Sequence, residues 1–138
     1  MKLRKTSLVV ASLLFAMPQA SANATEPRDP AFDSSDCASG YVCLWGNRDW
    51  KGSPAIIKKD AGLYGTGWYN NDETSSVRNR SGYVAFFYKN ANGGGTRKCL
   101  PSGYAQRNLD TDDFDDTISS FRLANGSCPS SEIIGYPI

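Results

Sequence analysis

The chain has 138 residues, with 15 lysines and arginines against 14 aspartates and glutamates, and it contains no histidine. A formal charge of +1 gives no electrostatic reason to expect nucleic acid as a partner. The missing histidine removes the commonest general base, every Ser–His or Cys–His nucleophile pair and most zinc sites, so catalysis has lost its usual tools without being excluded; no enzyme and no catalytic residue is expected.

Lys2, Arg4 and Lys5 precede an apolar run from about Ser7 to Met17, and small residues follow, ending in Ala22-Asn23-Ala24. This layout predicts a secretory signal peptide over residues 1–24, cleaved after Ala24 or Ala22, and hence a secreted, extracellular protein. The run is shorter than the roughly 20 residues of a membrane-spanning helix, and no later segment reads as one, so no membrane span is expected. Cleavage after Ala24 leaves 114 residues, the size of one domain, with 12 basic and 14 acidic side chains and a formal charge of −2. Residues 25–36, rich in Pro, Asp and Ser, read as a flexible leader.

Four cysteines follow: Cys37, Cys43, Cys99 and Cys128. An even number in an exported chain points to disulfides, and no Cys-x-x-Cys pair or histidine supports a thiolate metal site. Four cysteines allow three pairings. The short Ala-Ser-Gly-Tyr-Val loop favours Cys37 with Cys43, which leaves Cys99 with Cys128.

From Cys37 onward short apolar runs alternate with Gly, Asn and Asp, and no long stretch outside the signal peptide has helical periodicity. Tyr41–Trp45 and Tyr83–Phe87 are the most strand-like runs, each preceded by a Ser-Gly pair. Superposing them gives an offset of 42, which aligns Trp45 with Phe87, Trp50 with Asn92 and Gly52 with Gly94. Further strands are predicted at Ala55–Lys58 and Thr96–Leu100, and again at Val77–Asn79 and Phe121–Leu123. The chain therefore reads as two copies of one unit, about 37–80 and about 81–124, inside a domain spanning 37–128, with a tail over 129–138 that packs on the body or serves as a contact segment. A unit of about four strands has the size of a Greek key, so the expected fold is an all-β sandwich of two Greek keys. Its core would take most of the aromatics, with Trp68 and Tyr69 the most exposed pair.

Ahead of the last strand of each unit stands a polar hexapeptide, Asn71-Asp72-Glu73-Thr74-Ser75-Ser76 and Asp115-Asp116-Thr117-Ile118-Ser119-Ser120, at an offset of 44. Such residues cluster in turns for local reasons. Turns need not repeat their side chains, however, whereas paired sites would. Calcium takes six to eight oxygen ligands from carboxylates, carbonyls, hydroxyls and water, and each hexapeptide supplies the first three within one arch. The acidic run Asp110–Asp116 lacks any opposing acid that glycosidase chemistry would require, and a cation accounts for it more simply.

The two hexapeptides resemble the calcium motif of microbial βγ-crystallins, which reads Asn/Asp, Asn/Asp, any, any, Ser/Thr, Ser; both copies match at all four defined positions. Trp45–Gly52 is similar to the hairpin signature of that family, an aromatic, four residues, an aromatic, one residue and glycine, while the second copy has Asn92 at the second aromatic position. With Cys37-x5-Cys43 and Val42-Cys43-Leu44-Trp45, the chain resembles exported actinobacterial proteins of peptidase inhibitor family I36, a branch with the crystallin fold. The resemblance implies two calcium ions in crossed sites. One would use the Glu73 carbonyl, Ser75 and Asp116; the other would use the Thr117 carbonyl, Ser119 and Asp72, and backbone carbonyls near Gly46 and Tyr88 would add to them. Ser76 and Ser120 would pin hairpins without touching metal. A monomer acting on an extracellular protease is implied, the inhibitor label suggesting a metalloprotease; the alternative is a cell-wall or glycan-binding protein, with polysaccharide as partner, or an antimicrobial one.

Overall fold

The computed structural model describes residues 37–67 and 71–138. The segments read from sequence as signal peptide and leader, together with Trp68 and Tyr69, lie outside the described residues. The strands are β1 (Val42–Trp45), β2 (Ile56–Lys58), β3 (Gly62–Gly65), β4 (Ser76–Asn79), β5 (Val84–Asn90), β6 (Gly94–Leu100), β7 (Tyr104–Gln106), β8 (Ser120–Ala124) and β9 (Tyr136–Pro137). Six of them fall on the six runs predicted from sequence. The two third strands, β3 and β7, and the C-terminal β9 did not.

The strands make two antiparallel sheets, ordered β2-β1-β4-β7-β9 and β3-β8-β5-β6. Each half keeps its first, second and fourth strands in one sheet and sends its third to the other: β3 pairs with β8, and β7 with β4. Neither half can complete its sheet alone, because each borrows an edge from its twin.

Strand alternation then fills the space between the sheets. Val42, Leu44 and Val77 point inward from the first sheet and Ala85, Phe87, Phe121 and Leu123 from the second, with Leu109, Phe114 and Ile118 closing the ends. Each of these large side chains contributes on the order of 1.5–3 kcal/mol when fully buried. The Phe87 and Phe121 rings, paired across β5 and β8, lie 6.2 Å apart.

All four residues of β1 are buried, because its outer face is covered as well. Cys43 and Trp45 join Cys37, Trp50 and Ala105 in a second apolar cluster outside the first sheet. The buried Arg78 guanidinium stacks on Trp50, 4.5 Å from the ring centre. Burial of Trp45 and Trp50 also removes them from any exposed sugar-stacking platform.

Disulfides join Cys37 to Cys43 and Cys99 to Cys128, the pairing the short loop favours. The segment after Cys128 is part of the fold: Ile134 is buried, its N–H donates to the Cys99 carbonyl at 3.0 Å, and β9 extends the first sheet along β7.

Strand pairing recurs between the two halves in a register that differs from the sequence superposition by one residue. Leu44 faces Val77 as Phe87 faces Phe121, and Trp45 faces Ser76 as Tyr88 faces Ser120. The structural partner of Trp45 is therefore Tyr88 rather than Phe87, an offset of 43, and a one-residue shift in a strand exchanges its two faces. The hairpins keep that offset. Asp49 and Asn92 both sit in left-handed conformations, and so do Gly52 and Gly95, which makes Gly95, not Gly94, the counterpart of Gly52. The residue standing where Trp50 stands is Gly93, so the missing aromatic of the second hairpin is replaced by glycine rather than by Asn92.

Candidate metal centre

The two hexapeptides form twin arches that lie against each other. Asp72 and Asp116, at the second position of each, have φ of 56° and 51°. Aspartate is among the few non-glycine residues that enter this left-handed region readily, because its short polar side chain bonds locally. The turn crosses each arch over its twin: the Asp72 N–H donates to the Ile118 carbonyl at 3.3 Å, and the Asp116 N–H to the Thr74 carbonyl at 3.1 Å.

The side chains cross as well. Ser75 Oγ donates to Asp116 Oδ1 at 3.3 Å, and Ser119 Oγ donates to Asp72 Oδ1 at 2.8 Å. Each hydroxyl expected to ligate from one arch thus touches the carboxylate expected from the other. The serine N–H groups are fixed by the preceding strands, Ser75 N–H on the Trp45 carbonyl at 2.9 Å and Ser119 N–H on the Tyr88 carbonyl at 3.0 Å.

The sixth positions do a different job. Ser76 Oγ donates to the Asn47 carbonyl at 2.6 Å and accepts the Trp50 N–H at 3.1 Å. Ser120 Oγ donates to the Asn90 carbonyl at 2.6 Å and accepts the Gly93 N–H at 2.9 Å. Both serines are buried, and each staples the hairpin of its own half to the strand that follows its arch.

Around Ser75 and Asp116 the surface is depressed and lined also by Gly46, Asn47, Arg48 and Asp115. The Glu73 carbonyl comes close to Gly46: a Cβ built there would stand 3.4 Å from it. The second depression is bordered by Gly65, Thr66, Gly67, Asn71 and Ser119. Thr66 holds that edge, its N–H and Oγ1 both donating to the Ser119 carbonyl at 3.2 Å. The carbonyl of Tyr88 corresponds to that of Trp45, so the structural counterpart of Gly46 is Lys89.

Sequence reasoning passed over three neighbours. Asp115 offers Oδ2 to Arg48 Nη2 at 3.1 Å, while its Oδ1 is buried with no hydrogen-bond partner. In the other arch Asn71, at the equivalent motif position, donates from Nδ2 to Asp72 Oδ2 at 3.0 Å. Asp115 and Asn71 were legible as the first motif positions; Arg48 was not, because it comes from a hairpin 67 residues away.

These donors suit a hard cation. Each crossed set pairs a carboxylate with a hydroxyl, all oxygen, and beside the first lie the Glu73 carbonyl near Gly46 and an orphaned carboxylate oxygen of Asp115. Among the described residues no three carboxylates or cysteines cluster as a metal cage, so most ligands would have to be hydroxyls, backbone carbonyls and water.

Comparison with solved structures places the two-sheet arrangement in the βγ-crystallin class. A βγ-crystallin domain from Flavobacterium johnsoniae is 28% identical, with a TM-score of 0.51, covering 62% of this chain and 97% of that one. A βγ-crystallin from an archaeon gives 24% identity and a TM-score of 0.52, over 63% and 100% of the two chains. The βγ-crystallin domain of the Abundant Perithecial Protein of Neurospora crassa, in its Ca2+-bound form, gives 14% and 0.55, over 65% and 94%. Within that class the chain belongs to peptidase inhibitor family I36, whose model matches residues 30–100. No curated protein matches it.

Proposed function

We propose that this member of family I36 is a secreted calcium-binding protein that restrains an extracellular peptidase, a metalloprotease by the analogy of the family label. The observation that carries the calcium part is the crossing of hydroxyl and carboxylate between arches, Ser75 with Asp116 and Ser119 with Asp72. One set would comprise Ser75, Asp116 and the Glu73 carbonyl; the other would comprise Ser119, Asp72 and the Thr117 carbonyl. Gly46 and Lys89, its structural counterpart, would offer further carbonyls, the latter in place of the Tyr88 carbonyl that sequence alignment suggests. Calcium supplies these arches with a divalent charge that both halves can share. The chain's own part is to present the oxygens already paired across the repeat, with backbone turns that need no rearrangement.

The inhibitory part rests on the family match, and its domain boundaries on the repeat. Two disulfides and a sheet edge exchanged between halves give a rigid body, the property that lets an inhibitor resist cleavage. The test is a panel of extracellular metallo- and serine peptidases incubated with equimolar mature protein, with calcium and with chelator. Stoichiometric loss of activity in at least one metallopeptidase is expected; no effect on any peptidase removes the inhibitory reading and turns attention to insoluble glycans.

A further inference from the structure

The twin arches are alike in backbone and unlike in charge. Beside the Ser75–Asp116 pair, Arg48 Nη2 lies 3.1 Å from Asp115 Oδ2 and 3.6 Å from Asp110 Oδ2. Arg48 is half-exposed and borders the same depression as Ser75 and Asp116, to which Lys51 adds a second positive charge. Its hydrogen bond to Asp115, joined by the charges of Asp115, Asp110 and Asp116 and opposed by partial desolvation, holds the guanidinium pKa above the ordinary value. Beside the Ser119–Asp72 pair the nearest basic residue is Lys89, and its ammonium is held elsewhere, 3.5 Å from Asp113 Oδ2 and over the Phe114 ring. At the hairpin offset of 43 the counterpart of Arg48 is Ala91, and at the arch offset of 44 the counterpart of Asp115 is the neutral Asn71. No basic residue is found among the described residues lining that depression.

Resting on the calcium reading above, we infer that Arg48 is a built-in cation that competes for the Ser75–Asp116 pocket, making it the weaker of two unequal calcium sites. The guanidinium occupies one oxygen of Asp115 and faces the charge of Asp116, so an entering divalent ion meets a positive charge already in place. Beside Ser119 and Asp72 the basic neighbour among the described residues is Lys89, which is paired with Asp113 rather than with a residue of the arch. Neutralising one positive charge about 6–10 Å from a divalent ion, at an exposed surface where the dielectric approaches that of water, changes affinity by about three- to tenfold. That difference shrinks with added salt, since the screening length is about 8 Å at physiological ionic strength.

The experiment isolates each pocket. Calorimetric calcium titrations compare Asp72→Ala with Asp72→Ala/Arg48→Gln, where only the Ser75–Asp116 pocket is intact, and Asp116→Ala with Asp116→Ala/Arg48→Gln, where only the other is. Ser119→Ala replaces Asp72→Ala if the latter unfolds at the titration temperature. Arg48→Gln is expected to tighten binding about three- to tenfold in the first pair and to leave the second pair unchanged. Thermal melts in chelator supply a readout without calcium: Arg48→Gln lowers the melting temperature, because Asp110, Asp115 and Asp116 lose their counter-charge, and calcium then raises it by more than in the parent. Unchanged or weaker binding in the first pair overturns the inference and makes Arg48 a support for Asp115. Equal tightening in both pairs overturns it as a general charge effect. Absence of calcium binding in the parent protein overturns the calcium reading itself, and this inference with it.

Discussion

Asp72 and Asp116 show how single residues serve backbone and chemistry together. A left-handed residue is needed twice to turn each arch over its twin, and glycine would accept that conformation more readily. Aspartate accepts it and also brings a carboxylate to the opposite serine. Tyr136 is a residue with the reverse balance. Its hydroxyl is buried with no hydrogen-bond partner, and burial pushes the phenol above its ordinary value of 10, with Asp49 adding to the rise and Arg107 and Arg78 opposing it. The folded protein thus holds this proton more tightly than the unfolded chain, so the associated stability is present below pH 10 and is lost as pH climbs from there through the folded value. Tyr136→Phe is expected to be neutral or stabilising by about 1 kcal/mol at pH 7, since it removes an unsatisfied hydroxyl. Its denaturant midpoint should also fall less steeply than the parent's above pH 10; equal alkaline slopes would refute that assignment.

At the level of elements, Gly135 decides whether β9 can dock. It has φ of 79°, and a Cβ added there would overlap the Ala105 carbonyl on β7 and the Leu100 side chain. Gly135→Ala should therefore destabilise the fold by about 2–4 kcal/mol and expose Ile134, and hydrogen exchange along Tyr104–Gln106 should accelerate. The same level explains what sequence could and could not disclose. Six strands were legible because they carry aromatic and β-branched residues in short runs. The third strand of each half was not: β3, Gly62-Leu63-Tyr64-Gly65, opens and closes on glycine, and β7 has three residues. Both are strands because the other half supplies their partner, which no local propensity records. The superposition of Tyr41–Trp45 on Tyr83–Phe87 followed the shared Tyr-Val pair, but strand equivalence is set by facing. An irregularity between Tyr88 and Asn90 also lies where the second hairpin begins. The arches were legible because their chemistry repeats, and their crossing followed from the family resemblance; the ion pair from Arg48 depends on tertiary placement alone.

For the whole molecule, three devices tie the halves together: the exchanged third strands, the shared core and the crossed arches. The disulfides act within this frame. Cys99–Cys128 links residues 29 apart and fastens the C-terminal segment to β6, whereas Cys37–Cys43 links residues six apart. On loop entropy the first contributes about 3–4 kcal/mol and the second about 2 kcal/mol. Cys99→Ala/Cys128→Ala should then lower unfolding free energy by roughly 3–4 kcal/mol in urea titrations, and a loss well below 1 kcal/mol would mean that sheet pairing alone holds β9. A cation bound by both arches would act on the same frame as a further tie between halves, stabilising it by about 2.7 kcal/mol when the free ion is 100 times its dissociation constant.

The most direct measurement is a calorimetric calcium titration of the oxidised mature protein, paired with Asp72→Ala and Asp116→Ala and followed by thermal melts with calcium and with chelator. Two ions per chain, one lost with each substitution, and a melting temperature raised by calcium are the expected results. No heat and no shift in the parent, or a titration untouched by either substitution, would contradict the account and leave the twin arches as turns that hold the two halves together without metal.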